Sequence, residues 1–138
     1  MIPLYKPYMT DKLPELNAIL HSGALAFGKY GREFEQKLNS FIGIEQLILV
    51  NSFNSAILVV LASLGIKPGD EVIASPMACL ASNQPYITTG VNVVWADVDP
   101  ATGTLDPVKV KQKITSKTKA IFHNHFADIL VILTILIR

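Results

Sequence analysis

A short polar segment, residues 51–55, carries the residue types best suited to holding a phosphate group. Ser52, Asn54 and Ser55 can each offer side-chain donors, and the segment lies between an apolar run and a predicted helix. The amino terminus of a helix presents free backbone N–H groups and the positive end of the helix dipole, which together attract anions. The segment therefore predicts a phosphate site. Capping of the helix is the simpler interpretation of any one of these residues taken alone.

Three other groups of residues are better explained by structure than by chemistry. His123 and His125 would share one side of a strand, but no third residue at suitable spacing completes a metal site. Asp97 and Asp99 follow a predicted strand, where their carboxylates are expected to accept hydrogen bonds from N–H groups of a turn. Cys79 is expected to be a small buried side chain. The sequence thus predicts neither a metal site nor an activated thiolate.

The charge of the chain argues against nucleic acid as a partner. The formal net charge is +1, and acidic and basic residues are interleaved, so no broad positive field exists. The densest run of lysines, within residues 109–119, is expected to form the solvated face of a helix and its following turn. The single cysteine cannot form an internal disulfide, and the amino terminus lacks the layout of a secretory signal. A cytoplasmic location is therefore expected.

The chain is rich in apolar residues for an independent soluble domain. Hydrophobic residues make up 50% and charged residues 17% of the sequence, which suggests apolar surface that awaits a partner. The chain is accordingly expected to be incomplete or oligomeric. Residues 129–137 are almost wholly apolar, but a membrane helix needs about 20 residues. A buried strand is expected there, and no membrane role.

The hydrophobic pattern predicts the elements that must position the polar segment. Five helices are expected: from Thr10 or Asp11 to about His21, from near Tyr30, at 56–64, at 79–89 and from Asp106-Pro107 onwards. Strands are expected at 47–50, 71–74, 91–96 and 119–122. In the second helix an apolar stripe of Phe34, Leu38 and Phe41 is expected to be core. The alternation predicts an α/β fold with a mainly parallel sheet and helices on both faces. Ligands bind beyond the carboxyl ends of such strands, and the segment 51–55 is expected at that edge.

Several short motifs also occur in a characteristic order. They are Ile2-Pro3-Leu4 with Pro7, Ser22-Gly23 with Gly28, Glu33-Phe34-Glu35, Val50 to Ala56, Pro68 to Ile73, Asp97 to Pro100 with Thr102 and Asp106, and Lys117 to Ile121 with His125. Together they resemble the DegT/DnrJ/EryC1/StrS family of pyridoxal-phosphate-dependent sugar aminotransferases over nearly the whole chain up to Phe126. The segment Pro-Gly-Asp-Glu-Val-Ile at 68–73 is the most specific match.

The resemblance implies part of a large domain of the aspartate-aminotransferase type (fold type I), in a dimer with active sites near the subunit boundary. It further implies pyridoxal 5'-phosphate as cofactor and amino transfer from glutamate to a nucleotide-linked keto sugar, in surface polysaccharide or amino-sugar biosynthesis. Ser52, Phe53 and Asn54 fall on the family's phosphate-binding Ser-Gly-Thr, of which only the serine is retained. Leu80 falls where the family has an aromatic side chain that stacks on the cofactor ring.

The resemblance also bears on what this chain can catalyse. The family's pyridine-nitrogen aspartate and Schiff-base lysine lie further along, in segments that the sequence does not contain, and none of its lysines matches that lysine. Residues 1–128 are therefore expected to be the amino-terminal part of the large domain, followed by an apolar tail at 129–138. The chain is expected to be truncated and catalytically incomplete, with no catalytic residue assigned. The alternatives are a noncatalytic assembly module that pairs with a full-length or complementary chain, and a freestanding binder of small phosphate ligands.

Overall fold

A computed structural model describes residues 6–125, which divide into one unit at 6–49 and another at 50–125. The first unit holds α1 (Leu16–His21) and α2 (Lys29–Ile42). The second holds α3 (Phe53–Ser63), β1 (Glu71–Ala74), α4 (Leu80–Thr88), β2 (Asn92–Trp95), α5 (Pro107–Lys113) and β3 (Thr118–Ile121). The opening motif at 2–4 and the apolar segment 129–137 lie outside the described residues.

The second unit is built on a three-stranded parallel sheet in the order β2-β1-β3. Successive side chains of a strand point to opposite faces. On one face of the central strand, Val72 and Ala74 pack in a core with side chains of α3 and α4. On the other face, Ile73 packs with Val110 of α5. The predicted parallel sheet with helices on both faces is therefore confirmed.

Turn residues fix the connection from α3 into the sheet. Gly65, with φ of 65°, closes α3 in the left-handed conformation that glycine adopts without strain. The N–H of Lys67 then donates to Oδ2 of Asp70 over 2.8 Å, while Gly69 takes a φ of 90°. This hydrogen bond and the conformation of Gly69 stabilise the turn that contains Pro-Gly-Asp, and β1 begins directly after it. The predicted strand at 71–74 is confirmed, as are the later strands and helices to within one or two residues.

The predicted strand at 47–50 is wrong. A strand must exchange backbone hydrogen bonds with a neighbour, and these residues belong to no ladder in the described sheet. Instead, the N–H of Leu49 donates to Oε1 of Glu35 on α2 over 2.8 Å. The helix that follows also differs, because α3 begins at Phe53 rather than at residue 56.

The first unit departs furthest from the expectations. The first helix begins at Leu16 rather than after Thr10, whose hydroxyl bonds to the backbone of Lys12 in a local turn. The apolar stripe of α2 is not core, because Phe34 is 53% exposed and Phe41 is 87% exposed. Helical spacing places an apolar stripe on one side of a helix, but burial requires a second surface that covers it. Residues 6–49 include no buried side chain.

Candidate functional site

The amino terminus of α3 presents open backbone donors. Ser52 is the N-cap, in an extended conformation with φ of −162° and ψ of 161°. Its Oγ accepts a hydrogen bond from the N–H of Ser55 over 3.1 Å, and its carbonyl oxygen accepts one from the N–H of Ala56. The N–H groups of Phe53 and Asn54 have no hydrogen-bond partner within residues 6–125. Both are available to an anion, at the positive end of the helix dipole.

A short chain of hydroxyl groups stabilises this helix start. The hydroxyl of Ser55 donates to Oδ1 of Asn51 over 2.7 Å, and the Oγ atoms of Ser52 and Ser55 lie 2.9 Å apart. Each hydroxyl has a single hydrogen. Because Ser55 uses its hydrogen on Asn51, the hydroxyl of Ser52 must be the donor to Ser55. The side chain of Ser52 is therefore engaged in capping, and the donors that face outward are backbone N–H groups.

Aromatic contacts place this helix start at the carboxyl end of the sheet. The rings of Phe53 and Phe122 meet edge to face, with centroids 6.4 Å apart. Phe122 directly follows β3, and its N–H donates to the carbonyl oxygen of Ile73 over 2.8 Å. Ligand sites of parallel α/β sheets lie beyond this edge of the sheet. The contact of Phe122 with Phe53 could not be predicted from the sequence, because it joins residues that are distant in the chain.

A second helix begins at the same edge. Leu80 is the first residue of α4, which follows the carboxyl end of β1, and its side chain is 73% exposed. The buried amide of Asn83 donates to the carbonyl oxygen of Ser75 over 3.1 Å and so ties α4 to the end of β1. The prediction that Cys79 is buried is wrong, because this residue is the exposed N-cap of α4 and lies outside both cores.

Among the remaining acidic and basic candidates, Asp99 and Asp106 stabilise local structure through their carboxylates. Oδ1 of Asp99 accepts from the N–H of Ala101 over 2.8 Å, as the turn interpretation predicted. The same prediction is wrong for Asp97, whose exposed carboxylate accepts no hydrogen bond from residues 6–125 and whose backbone carbonyl oxygen instead accepts from the N–H of Asp106. Oδ1 of Asp106 caps α5 by accepting from the N–H of Val108 over 2.7 Å. The lysines of the basic run are all exposed, as predicted, at positions 109, 111, 113, 117 and 119.

The two histidines that follow β3 contact each other. The ring centroids of His123 and His125 are 5.0 Å apart, at 79° between the ring planes. Both ring nitrogens of His123 are shielded from solvent without a hydrogen-bond partner in the described part of the chain. Within residues 6–125, no group of three or more His, Cys, Asp or Glu side chains could hold a metal ion. Burial, and secondly the charge of His125, lowers the pKa of His123 from its ordinary value of 6.5.

The lowered pKa of His123 predicts a loss of stability in mild acid. Below pH 6.5 the unfolded chain binds a proton at this residue that the folded chain resists, so the free energy of unfolding falls as pH falls from 6.5 towards the folded pKa. Well above pH 6.5, His123 is neutral in both states and does not make the free energy of unfolding depend on pH. Urea denaturation from about pH 7.5, above the ordinary pKa, down to about pH 5 should show a shallower decline in His123→Gln than in the wild type. The exposed His21, changed to Gln, is the control, and an equal slope in all three proteins would contradict the prediction.

Comparison with known proteins identifies the same family that the motifs of the sequence resemble. The model of the DegT/DnrJ/EryC1/StrS aminotransferase family matches residues 8–129. The chain is 37% identical over 116 residues to the spore coat polysaccharide biosynthesis protein SpsC of Bacillus subtilis (strain 168), covering 84% of this chain and 30% of the relative. It is 32% identical over 115 residues to the 3-oxo-glucose-6-phosphate:glutamate aminotransferase of the same organism, covering 83% of this chain and 26% of the relative. The chain thus spans less than a third of the length of either protein.

The solved structures agree with the sequence comparison. The crystal structure of NtdA from Bacillus subtilis with bound cofactor PMP superposes with a TM-score of 0.76 at 32% identity, covering 80% of this chain and 26% of that chain. None of the helices within residues 6–125 combines the length and the apolar composition that a membrane span requires. The sheet and its flanking helices have the fold of part of a fold type I aminotransferase, as the resemblance implied. The chain therefore belongs to the DegT/DnrJ/EryC1/StrS aminotransferase family.

Proposed function

We propose that residues 50–125 hold the phosphate of pyridoxal 5'-phosphate in a protein that transfers an amino group from glutamate to a nucleotide-linked keto sugar. This reaction would contribute to surface polysaccharide or amino-sugar biosynthesis and would take place in the cytoplasm. The observation that carries the proposal is the pair of open N–H groups at Phe53 and Asn54, at the start of a helix beside the carboxyl end of the sheet. Membership of an aminotransferase family supports pyridoxal 5'-phosphate as the source of that anion.

The residues present fit a phosphate monoester. Two successive N–H groups at the positive end of an 11-residue helix match an anion with several acceptor oxygens. The side chain of Asn54 is half-buried and adds an amide that can donate to a phosphate oxygen. Phe53 and Asn54 replace the family's glycine and threonine without removing any backbone donor. Ser52 supports the site by holding the first turn, a contribution of about 1 kcal/mol for a typical N-cap.

The cofactor, when bound, supplies an electron sink for the reaction at the amino-bearing carbon. This chain's residues would hold the phosphate and orient the ring, and Leu80 offers an exposed apolar side chain at the same edge of the sheet. Residues 1–128 are proposed to be the family part of the chain and 129–138 a separate apolar tail. Because no lysine of this sequence matches the family's lysine, residues 1–138 alone are proposed to bind the phosphate without catalysing amino transfer.

The phosphate group, rather than the pyridine ring, should dominate binding by this chain. Pyridoxal 5'-phosphate should raise the melting temperature of the 138-residue chain, because a ligand that binds only the folded state stabilises it. Pyridoxal, which lacks the phosphate, should raise it little. Equal shifts for the two compounds would contradict the proposal. An equal shift for inorganic phosphate would instead favour the alternative of a general binder of small phosphate ligands.

A second candidate function, assembly with another chain, is favoured by the apolar surface of α3. Leu58, Val59 and Val60 are 39%, 42% and 49% exposed, and they belong to the stretch 56–62 of α3, in which every residue is apolar. Helices of this composition are normally buried on every side. The proposed partner is a second copy or a complementary chain of the same family. A monomer in light scattering at micromolar concentration would count against this function.

A further inference from the structure

An apolar groove of about 130 Å³ lies between α3, β1, α4 and the end of β3. Val60 and Leu64 line it from α3 and are 49% and 61% exposed, while Ala120 and Phe122 line it from the β3 side. The only lining residue with a polar group is Tyr86, whose hydroxyl is shielded from solvent. The groove is therefore open to solvent at a place where large aliphatic side chains are exposed.

Strand β3 forms one edge of the sheet beside this groove. Within residues 6–125 it pairs only with β1, so the other side of its backbone has no neighbouring strand there. Ile121 and Phe122 are only half-buried, whereas Ile73 in the central strand is 0% exposed. An open edge of this kind is a template to which a further strand can add. The open edge and the open groove adjoin, because Ala120 and Ile121 of β3 also line the groove.

Residues 129–137 have the composition of a strand that is covered on both faces. None of these residues is charged, and Thr134 carries the one polar side chain among isoleucine, leucine and valine. β-branched residues, which include isoleucine, valine and threonine, favour strands, and continuous apolar runs are typical of strands that are buried on both faces. Such a segment needs a pairing edge and an apolar surface. The β3 side of the second unit offers both.

The connection between β3 and this segment determines the direction in which they can pair. Only residues 122–128 separate the end of β3 at Ile121 from residue 129. A parallel neighbour would need a crossover of about a dozen residues or more, whereas antiparallel neighbours are joined by short loops. The segment can therefore reach the edge of β3 only as an antiparallel strand.

We propose that residues 129–137 of this chain add to the free edge of β3 as an antiparallel strand and cover the groove beside Val60 and Leu64. The backbone of the segment pairs with β3, and its side chains on the α3 side fill the groove. The contact lies within one chain, because closing a short loop costs less entropy than bringing in a second chain. The groove is separate from the proposed phosphate site, since neither Phe53 nor Asn54 lines it.

The test is amide hydrogen exchange of the 138-residue chain, measured residue by residue by NMR. In an antiparallel edge strand every second N–H group bonds to the neighbouring strand. Alternate amides within residues 129–137 should therefore exchange at least about tenfold more slowly than those of an unstructured chain. The methyl groups of this segment should also give nuclear Overhauser contacts to those of Val60 and Leu64. In a mixture of isotope-labelled and unlabelled protein, these contacts should arise within one chain.

A pair of double variants tests whether the groove holds the segment. Val60→Asn with Leu64→Asn puts polar side chains on the wall of the groove and should reduce the protection of residues 129–137 about tenfold or more. Leu58→Asn with Val59→Asn is the matched control, because it makes the same two chemical changes at exposed positions of α3 that do not line the groove. The control should keep the protection of the wild type.

Uniformly fast exchange across residues 129–137 in the wild type would overturn the proposal. Protection of consecutive amides would indicate a helix and would overturn it as well, and contacts between chains would assign the groove to a second copy instead. Equal loss of protection in the two double variants would show that the groove does not hold the segment. Should the groove variant fail to fold, the exchange pattern and the methyl contacts of the wild type decide the proposal by themselves.

Discussion

Replacement of Phe53 by proline should weaken the binding of pyridoxal 5'-phosphate by about tenfold or more. Proline has no N–H group, so the variant loses one of the two open donors at the start of α3. A hydrogen bond to a charged group contributes about 1.5–3 kcal/mol, and each 1.4 kcal/mol corresponds to about tenfold in affinity. Calorimetric titration of the folded variant measures the loss directly.

The substitution should leave α3 intact. Phe53 is the first helical residue, where proline is well tolerated because the N–H group has no partner within the helix. A proline restricts the preceding residue to extended conformations, and Ser52 already has a φ of −162° and a ψ of 161°. Helix content measured by circular dichroism should therefore match that of the wild type.

Phe53→Ala is the matched control for this experiment. It removes the same aromatic ring and its contact with Phe122, but keeps the backbone N–H. Binding of pyridoxal 5'-phosphate by Phe53→Ala should stay close to that of the wild type. If alanine and proline weaken binding equally, the aromatic ring rather than the N–H group is responsible, and the phosphate cradle proposed at this position is wrong.

Ile73→Ala should lower the free energy of unfolding by about 2–5 kcal/mol, the range for truncating a buried Ile or Leu side chain. Ile73 is 0% exposed in the central strand and packs with Leu105 and Val110 on the α5 side of the sheet. The loss is a large fraction of the roughly 5–15 kcal/mol that stabilises an ordinary domain. Urea denaturation followed by circular dichroism provides the measurement.

The matched control for the core is Ile87→Ala. Ile87 is 65% exposed on α4, so the same chemical change should alter the free energy of unfolding by no more than about 0.5 kcal/mol. Similar losses in the two variants would contradict the assignment of the core to the two faces of β1.

The helices and strands between Gly65 and Phe122 could be predicted from the sequence because each turn between them is determined by residues that are close together in the chain. Glycines, prolines and aspartates fix the turns there, and the apolar run of the central strand β1 is covered on both faces. Residues 47–50 have the same apolar character, but a strand exists only where a neighbour pairs with it. The prediction that the apolar stripe of α2 is buried was wrong for a related reason. Burial requires a second surface that covers the stripe, and the spacing of apolar residues does not specify such a surface.

The place of the segment 51–55 in the fold could be predicted from the sequence, but its open backbone N–H groups could not. Ser52 could be recognised as a helix cap, and its place in an α/β sheet indicated the ligand edge. The pairing of Ser52 with Ser55, which engages the serine hydroxyl and leaves the backbone donors, depends on three-dimensional distances. Burial of Cys79 was predicted from residue type alone and is wrong, because its position before α4 outweighs that preference.

The most direct measurement of the central claim is the response of individual backbone amides to the cofactor. Pyridoxal 5'-phosphate titrated into the nitrogen-15-labelled chain should shift the amide resonances of Phe53 and Asn54 first and furthest, with saturation. Pyridoxal at the same concentrations should leave these two resonances in place. Shifts confined to other residues, or equal shifts of Phe53 and Asn54 with pyridoxal, would contradict the assignment of the phosphate site to the start of α3.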